Sequence, residues 1–197
     1  MKIKLILTVW WHFLQHFNRR GEIMNYAIEL VFDEESQKTI NDLRTKLNEN
    51  GVHDEAVKLN HVSIGDYKTD NIEELKNRVI EFSKTIKPFE LSLVSVGTFM
   101  TKENVIFLEP VMTSELIDVH KRFIEYMRDF DGDLNQYYDI DKWMPHCTIS
   151  IRLSDEELFK GIELLKEIIK LPIKVRVEKI DIINYPFNQI MMLDLEE

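Results

Sequence analysis

Cysteine is almost absent from this chain. Cys147 is its one cysteine in 197 residues, so neither an intramolecular disulfide nor a cysteine-based zinc site can form. A reducing cytosol is the expected location. Glycine and proline are also few, at 6 and 5. With 44% hydrophobic and 30% charged residues, this is the composition of an ordinary soluble globular protein. Positive charge is short as well: 25 Lys and Arg against 35 Asp and Glu leave a formal charge of −10. That balance opposes adhesion to long nucleic acid or to an anionic membrane. A small nucleotide or the end of a short RNA stays compatible with it, because a local patch suffices.

The first 23 residues look foreign to the rest. Lys2 and Lys4 precede an apolar-aromatic run from Leu5 to Trp11, then His12 and His16 follow. The run is too short to cross a bilayer, and no small-residue cleavage site follows it, as a secretory signal would require. Arg19-Arg20-Gly21-Glu22 is what a purine-rich ribosome-binding site spells when translated in frame. Residues 1–23 are therefore expected to be a leader or upstream extension, with Met24 the start of a single bilobal domain over 24–197. Losing Lys2, Lys4, Arg19, Arg20 and Glu22 takes the formal charge from −10 to −13.

From Tyr26 the pattern is regular. Tyr26 to Phe32 reads as a strand, and Glu35 to Asn48 as a helix with Ile40, Leu43 and Leu47 on one stripe. A strand follows in Lys58-Leu59-Asn60-His61-Val62-Ser63-Ile64-Gly65. A helix then opens near Asp70, in capping-box spacing with Glu73, and Pro88 stops it. Phe89 to Phe99 alternates as a strand. The second half repeats this order: a strand at Val105 to Leu108, a helix from Ser114 to Phe130, and a strand in Met144 to Ile151. A capping box at Ser154-Asp155-Glu156-Glu157 then opens a helix that Pro172 ends, and strands follow at Ile173 to Ile183 and Gln189 to Leu195. Thr69 and Ser154 each lie eight residues after their histidine. The order implies an internal duplication and an α+β fold, two antiparallel-rich sheets around a central cleft with helices outside.

Each half holds the same three-residue device, His61-Val62-Ser63 and His146-Cys147-Thr148. In a strand, residues i and i+2 leave the same face, so each device presents an imidazole beside a hydroxyl. Two imidazoles near pKa ~6.5 allow one to take a proton from water while the other protonates a leaving oxygen. Ser63 and Thr148 are then the groups that hold nonbridging phosphate oxygens. This is the equipment of a phosphoester site that needs neither metal nor cofactor. By the same parity, Gly65 and Tyr67 join the face of His61, and Ser150 and Arg152 that of His146. Tyr67 is thus a candidate for stacking on a base, and Arg152 for neutralising phosphate. Cys147 points away as a core thiol. His120 is expected to pack at the edge of its helix, and Trp143 and Tyr185 are weaker candidates, expected in the core.

With these residues the chain resembles the two-histidine (2H) phosphoesterase superfamily, the 2′-5′ RNA ligase-like (LigT-like) family. The family mark is a pair of His-x-Thr/Ser motifs, each followed by a hydrophobic residue. His61-Val62-Ser63-Ile64 and Pro145-His146-Cys147-Thr148-Ile149 match it. The resemblance implies a bilobal fold with catalytic His61 and His146 between the lobes. It also implies metal-independent hydrolysis of a 2′,3′-cyclic nucleotide or RNA-end cyclic phosphate, with 2′-5′ ligation in reverse. The alternative is a non-catalytic module that binds a nucleotide or RNA end in the same cleft.

Overall fold

The computed structural model describes residues 23–53, 59–185 and 188–196. The predicted leader lies outside them except for Ile23, as does Lys58 at the head of the predicted His61 strand. The described elements are, in order, β1 (Met24–Phe32), α1 (Glu34–Glu49), β2 (His61–Thr69), α2 (Ile72–Ser83), β3 (Phe89–Phe99) and β4 (Asn104–Pro110). Then come α3 (Ser114–Tyr126), a short β5 (Asp133–Leu134), a 3-10 turn (Gln136–Tyr138), β6 (Cys147–Leu153), α4 (Asp155–Ile168), β7 (Ile173–Asn184) and β8 (Asn188–Asp194). The repeated element order expected from the sequence is present.

Helix starts follow the local chemistry. Asp33, Thr113 and Ser154 each accept a hydrogen bond from the backbone at their helix's first turn, and Ser154 with Glu157 completes a capping box. The predicted box at Asp70 is displaced by one residue. Asn71 is the cap, accepting from the Glu74 amide, and its own amide donates to the Thr69 hydroxyl at the end of β2. The spacing from histidine to helix cap therefore differs between the halves. The helix predicted to reach Phe130 ends at Tyr126.

The described strands join one antiparallel sheet in the order β5-β2-β1-β7-β3-β4-β6, with β8 on β7. The two expected sheets are thus continuous, and β7 is the seam. Along one edge it pairs with β1; along the other it pairs with β3 through Ile173–Val177 and then with β8 from Lys179 onward. The repeat is visible in the pairing, but with an exchange. The β2-β1 pair of the first half takes β7 from the second, and the β6-β4 pair of the second takes β3 from the first. Each half thus lends one strand, β3 or β7, to the other half's sheet, which ties the two together through the middle. The helices lay their apolar stripes on this sheet, burying Ile40 and Leu47, Leu75 and Val79, Leu116 and Phe123, Leu158 and Leu165.

Candidate active site

His61 and His146 line one cleft of about 460 Å³, together with Ser63, Thr148, Tyr138, Tyr185, Glu29 and Asp181. The strands that carry the two motifs bring them together from points 85 positions apart in the chain.

Each ring is fixed in the same way. The Nδ1 of His61 lies 2.8 Å from the Leu59 carbonyl oxygen, and that of His146 lies 2.7 Å from the Met144 carbonyl oxygen. A carbonyl can only accept, so Nδ1 carries hydrogen in both rings and Nε2 is left for chemistry. Burial lowers the pKa of both rings. That of His61 falls to about 4, with the bond to Leu59 opposing and the Arg44 charge assisting. For His146 the bond to Met144 opposes burial, while the charge of His61 adds to it. Each imidazole is thus held neutral near pH 7, as a proton acceptor must be. The His146 ring also packs against Phe99 and Phe107, at 5.0 and 5.1 Å between centroids.

Beyond the hydroxyl of each motif the strand kinks. Glu29 pairs with Ser63 and Ile28 with Gly65, leaving Ile64 as an extra residue. Phe107 pairs with Thr148 and Ile106 with Ser150, leaving Ile149 extra. Both halves carry a β-bulge three residues after the histidine, and the burial sequence across the five residues from each histidine is identical. A bulge resets the alternation of faces, which corrects the predictions made from parity. Tyr67 does not reach the cleft. It is 2% exposed and packs edge-on against Phe123 and Phe130. Gly65 faces the core too, where a Cβ would stand 2.8 Å from the Phe123 ring. Ser150 is buried, and Ile151 takes the cleft position instead. Arg152, in a left-handed conformation (φ 59°), is turned out to solvent beside Glu103.

The carbonyl just before each bulge is satisfied by a side chain. The Trp143 indole Nε1 donates to the Ser63 oxygen at 3.0 Å, and the Arg44 guanidinium donates to that of Thr148. His120 is buried rather than at its helix's edge, and its ring stacks on Trp143 with centroids 3.8 Å apart. Cys147 is buried as expected, and burial pushes its thiol up to about 11.

Four further residues that the motifs did not announce line the cleft. The Tyr138 hydroxyl hydrogen-bonds the Ser63 side chain, and burial raises its pKa. Tyr185, a weaker candidate expected in the core, is 45% exposed at the rim, and burial of its hydroxyl pushes the pKa up to about 12. Glu29 and Asp181 face each other across β1 and β7 and are 3% and 1% exposed. Burial raises them to about 8 and about 7, and the charge of Glu29 adds to the shift on Asp181. A signal for Glu29 was present in the sequence, since it is the one carboxylate in the apolar strand β1, where acids are seldom buried without a reason; Asp181 shares β7 with Glu178 and three cations and had no such mark. Among the described residues no group of three or more His, Cys, Asp or Glu side chains is set to hold a metal ion.

The sequence model of the 2′-5′ RNA ligase superfamily matches residues 32–186. This chain belongs to that superfamily. Its similarity to named members is distant. A candidate phosphoesterase of Bacillus licheniformis is 28% identical over 88 residues, covering 45% of this chain and 48% of the relative, about half its length. Another, of Staphylococcus haemolyticus, is 26% identical over 126 residues, covering 64% and 68%. Among solved structures, E. coli LigT complexed with 3′-AMP superposes with a TM-score of 0.61 at 13% identity, covering 89% of this chain and all of that one. TT0787 of Thermus thermophilus gives 0.61 at 13% identity, covering 87% and 98%. These likenesses establish the fold, and with it the α+β architecture of the superfamily.

Proposed function

We propose that this member of the 2′-5′ RNA ligase superfamily is a phosphoesterase that opens a 2′,3′-cyclic phosphodiester, on a nucleotide or at an RNA end, by acid-base catalysis between His61 and His146. The observation that carries the reading is the matched tethering of the two rings. Each Nδ1 is fixed to a carbonyl two residues upstream, and each Nε2 is left to the same cleft. One Nε2 takes a proton from water as its oxygen bonds to phosphorus, and the other side of the cleft supplies a proton to the ribose oxygen that leaves. Such proton transfer is worth roughly 10²–10⁴-fold in rate. The Ser63 and Thr148 hydroxyls donate to the nonbridging oxygens, and the bulges hold those hydroxyls in place.

Charge supports a diester over a more heavily charged group. No Lys or Arg is among the cleft-lining residues described, whereas Glu29 and Asp181 are. A cleft of hydroxyls and neutral rings suits a single negative charge better than a dianion. Tyr185 at the rim is placed to stack on a base. E. coli LigT, which shares the fold, has been crystallised with 3′-AMP, with phosphate and with ATP, and a small nucleotide is the corresponding partner proposed here. The reading needs no metal, and ligation is its reverse. Among the described residues no helix is long and apolar enough to cross a membrane; a cytosolic location is part of the proposal.

The test is a panel of cyclic phosphates, from mononucleotides through ADP-ribose cyclic phosphate to RNA termini, assayed in EDTA. Turnover that disappears in both His61→Ala and His146→Ala supports the assignment. Tight binding of nucleoside monophosphates with no product on any substrate would make the cleft a binding module instead.

A further inference from the structure

The cleft is nearly symmetric in its motifs and not in its acids. His61 has a carboxylate against its ring: Glu29 Oε1 is 3.2 Å from Nε2. Among the described residues His146 has no carboxylate within ion-pair distance: the charge of Glu109 on β4 reaches it, but Glu109 bonds the Ser95 hydroxyl, and the ring itself is flanked by Phe99 and Phe107. The Nδ1 hydrogen of His61 is already committed to the Leu59 carbonyl. If Nε2 were bare, its lone pair would face a carboxylate oxygen at hydrogen-bond distance, which is repulsive in a buried site. One proton must therefore lie between Nε2 and Oε1.

We propose that Glu29 is the proton partner of His61, so that their pair is the proton donor of the cleft and His146 is its base. This rests on the reading of the site given above. Glu29 acts through His61 and is a positioning residue. Its surroundings hold the proton in place. Glu29 is 3% exposed, and Asp181 faces it from β7 with the Gln189 side chain and the Ile182 amide beside its carboxylate. Tyr185 from the end of β7 and Tyr138 from the 3-10 turn present neutral hydroxyls. Arg44 from α1 is the cation whose charge reaches His61; His146, just ahead of β6, is the ring that the His61 charge acts on in turn, and the buried Cys147 thiol at the start of β6 meets the His61 backbone. With Glu29 raised to about 8 and His61 lowered to about 4, the pair carries one shared proton and no net charge between those values.

The chemistry balances. His146 Nε2 takes a proton from water as the water oxygen bonds to phosphorus. The bond from phosphorus to the ribose oxygen breaks, and that oxygen takes the proton shared by Glu29 and His61. The proton on His146 returns to the pair through solvent, which resets the site.

The experiment is a ¹⁵N-histidine NMR titration of the full chain and of Glu29→Gln between pH 5 and 9.5, beside the pH profile of 2′,3′-cyclic AMP hydrolysis. The expected result is a step in the His61 ring signals near pH 8 that is lost in Glu29→Gln. The alkaline limb of kcat should fall by about one pH unit or more in the variant, with KM changed less than about 3-fold. Identical His61 titrations in both proteins would overturn the proposal. Should Glu29→Gln fail to fold, Asp181→Asn must move the His61 step to lower pH, and a step that stays put overturns it equally. The NMR arm needs no turnover. A step near pH 8 in a protein that opens no cyclic phosphate would support proton sharing and retire the functional reading alone.

Discussion

Arg44 and Thr148 are 104 residues apart, and the guanidinium of the first donates to the backbone carbonyl of the second. Trp143 does the same for Ser63 from 80 residues away. The supports cross over: the second half of the chain steadies the first motif, and the first half steadies the second. A bulge takes a carbonyl out of the ladder, and a buried carbonyl without a partner costs about 1–3 kcal/mol. Arg44→Met and Trp143→Phe are accordingly expected to lower stability by that order in urea unfolding. They should also lower kcat on a cyclic nucleotide, because the hydroxyls lose their fixed position.

Ser63→Ala and Thr148→Val remove one hydroxyl each and keep the strand. Loss of one donor to a developing charge costs on the order of 10²–10³ in kcat. Steady-state kinetics should show that loss in kcat with a smaller change in KM. A fall confined to KM would mean that the hydroxyls bind substrate and transition state alike.

Tyr67→Phe and Arg152→Ala are the counterpart. Tyr67 lies in the core and Arg152 outside the cleft, so each variant is expected to keep kcat/KM within about 2-fold of the parent, against the ~10²-fold losses above. A large loss in either would mean that the bulges do not hold in solution and that the unbroken alternation is the true geometry.

His120 supplies an acid-dependent term. It is buried on Trp143 with Nε2 lacking a hydrogen-bond partner, and burial lowers its pKa to about 4. The unfolded chain takes up a proton below the ordinary histidine value of 6.5, while the native state resists until about 4. The stability it lends is whole above pH 6.5 and drains away as pH falls toward 4. His120→Phe keeps a flat ring against Trp143 and removes the titration. Between pH 7 and pH 4.5 the parent should lose about 2–3 kcal/mol more than this variant by urea unfolding. Equal losses would place the acid sensitivity elsewhere.

Gly65→Ala tests the bulge from the inside. The new Cβ would meet the Phe123 ring at 2.8 Å, and overpacking of this kind costs about 1–3 kcal/mol. Thermal unfolding should report that loss, with KM unchanged because the added methyl points away from the cleft.

The sequence by itself determined the two motifs, the order of strands and helices, and the family they belong to. These are local properties: hydrophobic period, capping residues and a repeated His-x-hydroxyl tripeptide are written along the chain. Tertiary structure alone decided which residues surround those motifs. Alternation predicts a neighbour's face only while the ladder is unbroken, and the bulges at Ile64 and Ile149 broke it in both halves. A glycine inside a strand, as at Gly65, is a known sign of a bulge, but which way the strand then turns depends on its partner. Glu29 and Asp181 entered the cleft through strand pairing between the first and last parts of the chain. The exchange of β3 and β7 between the halves likewise joined two expected sheets into one. Contacts of that range depend on register across distant strands, which no local pattern encodes.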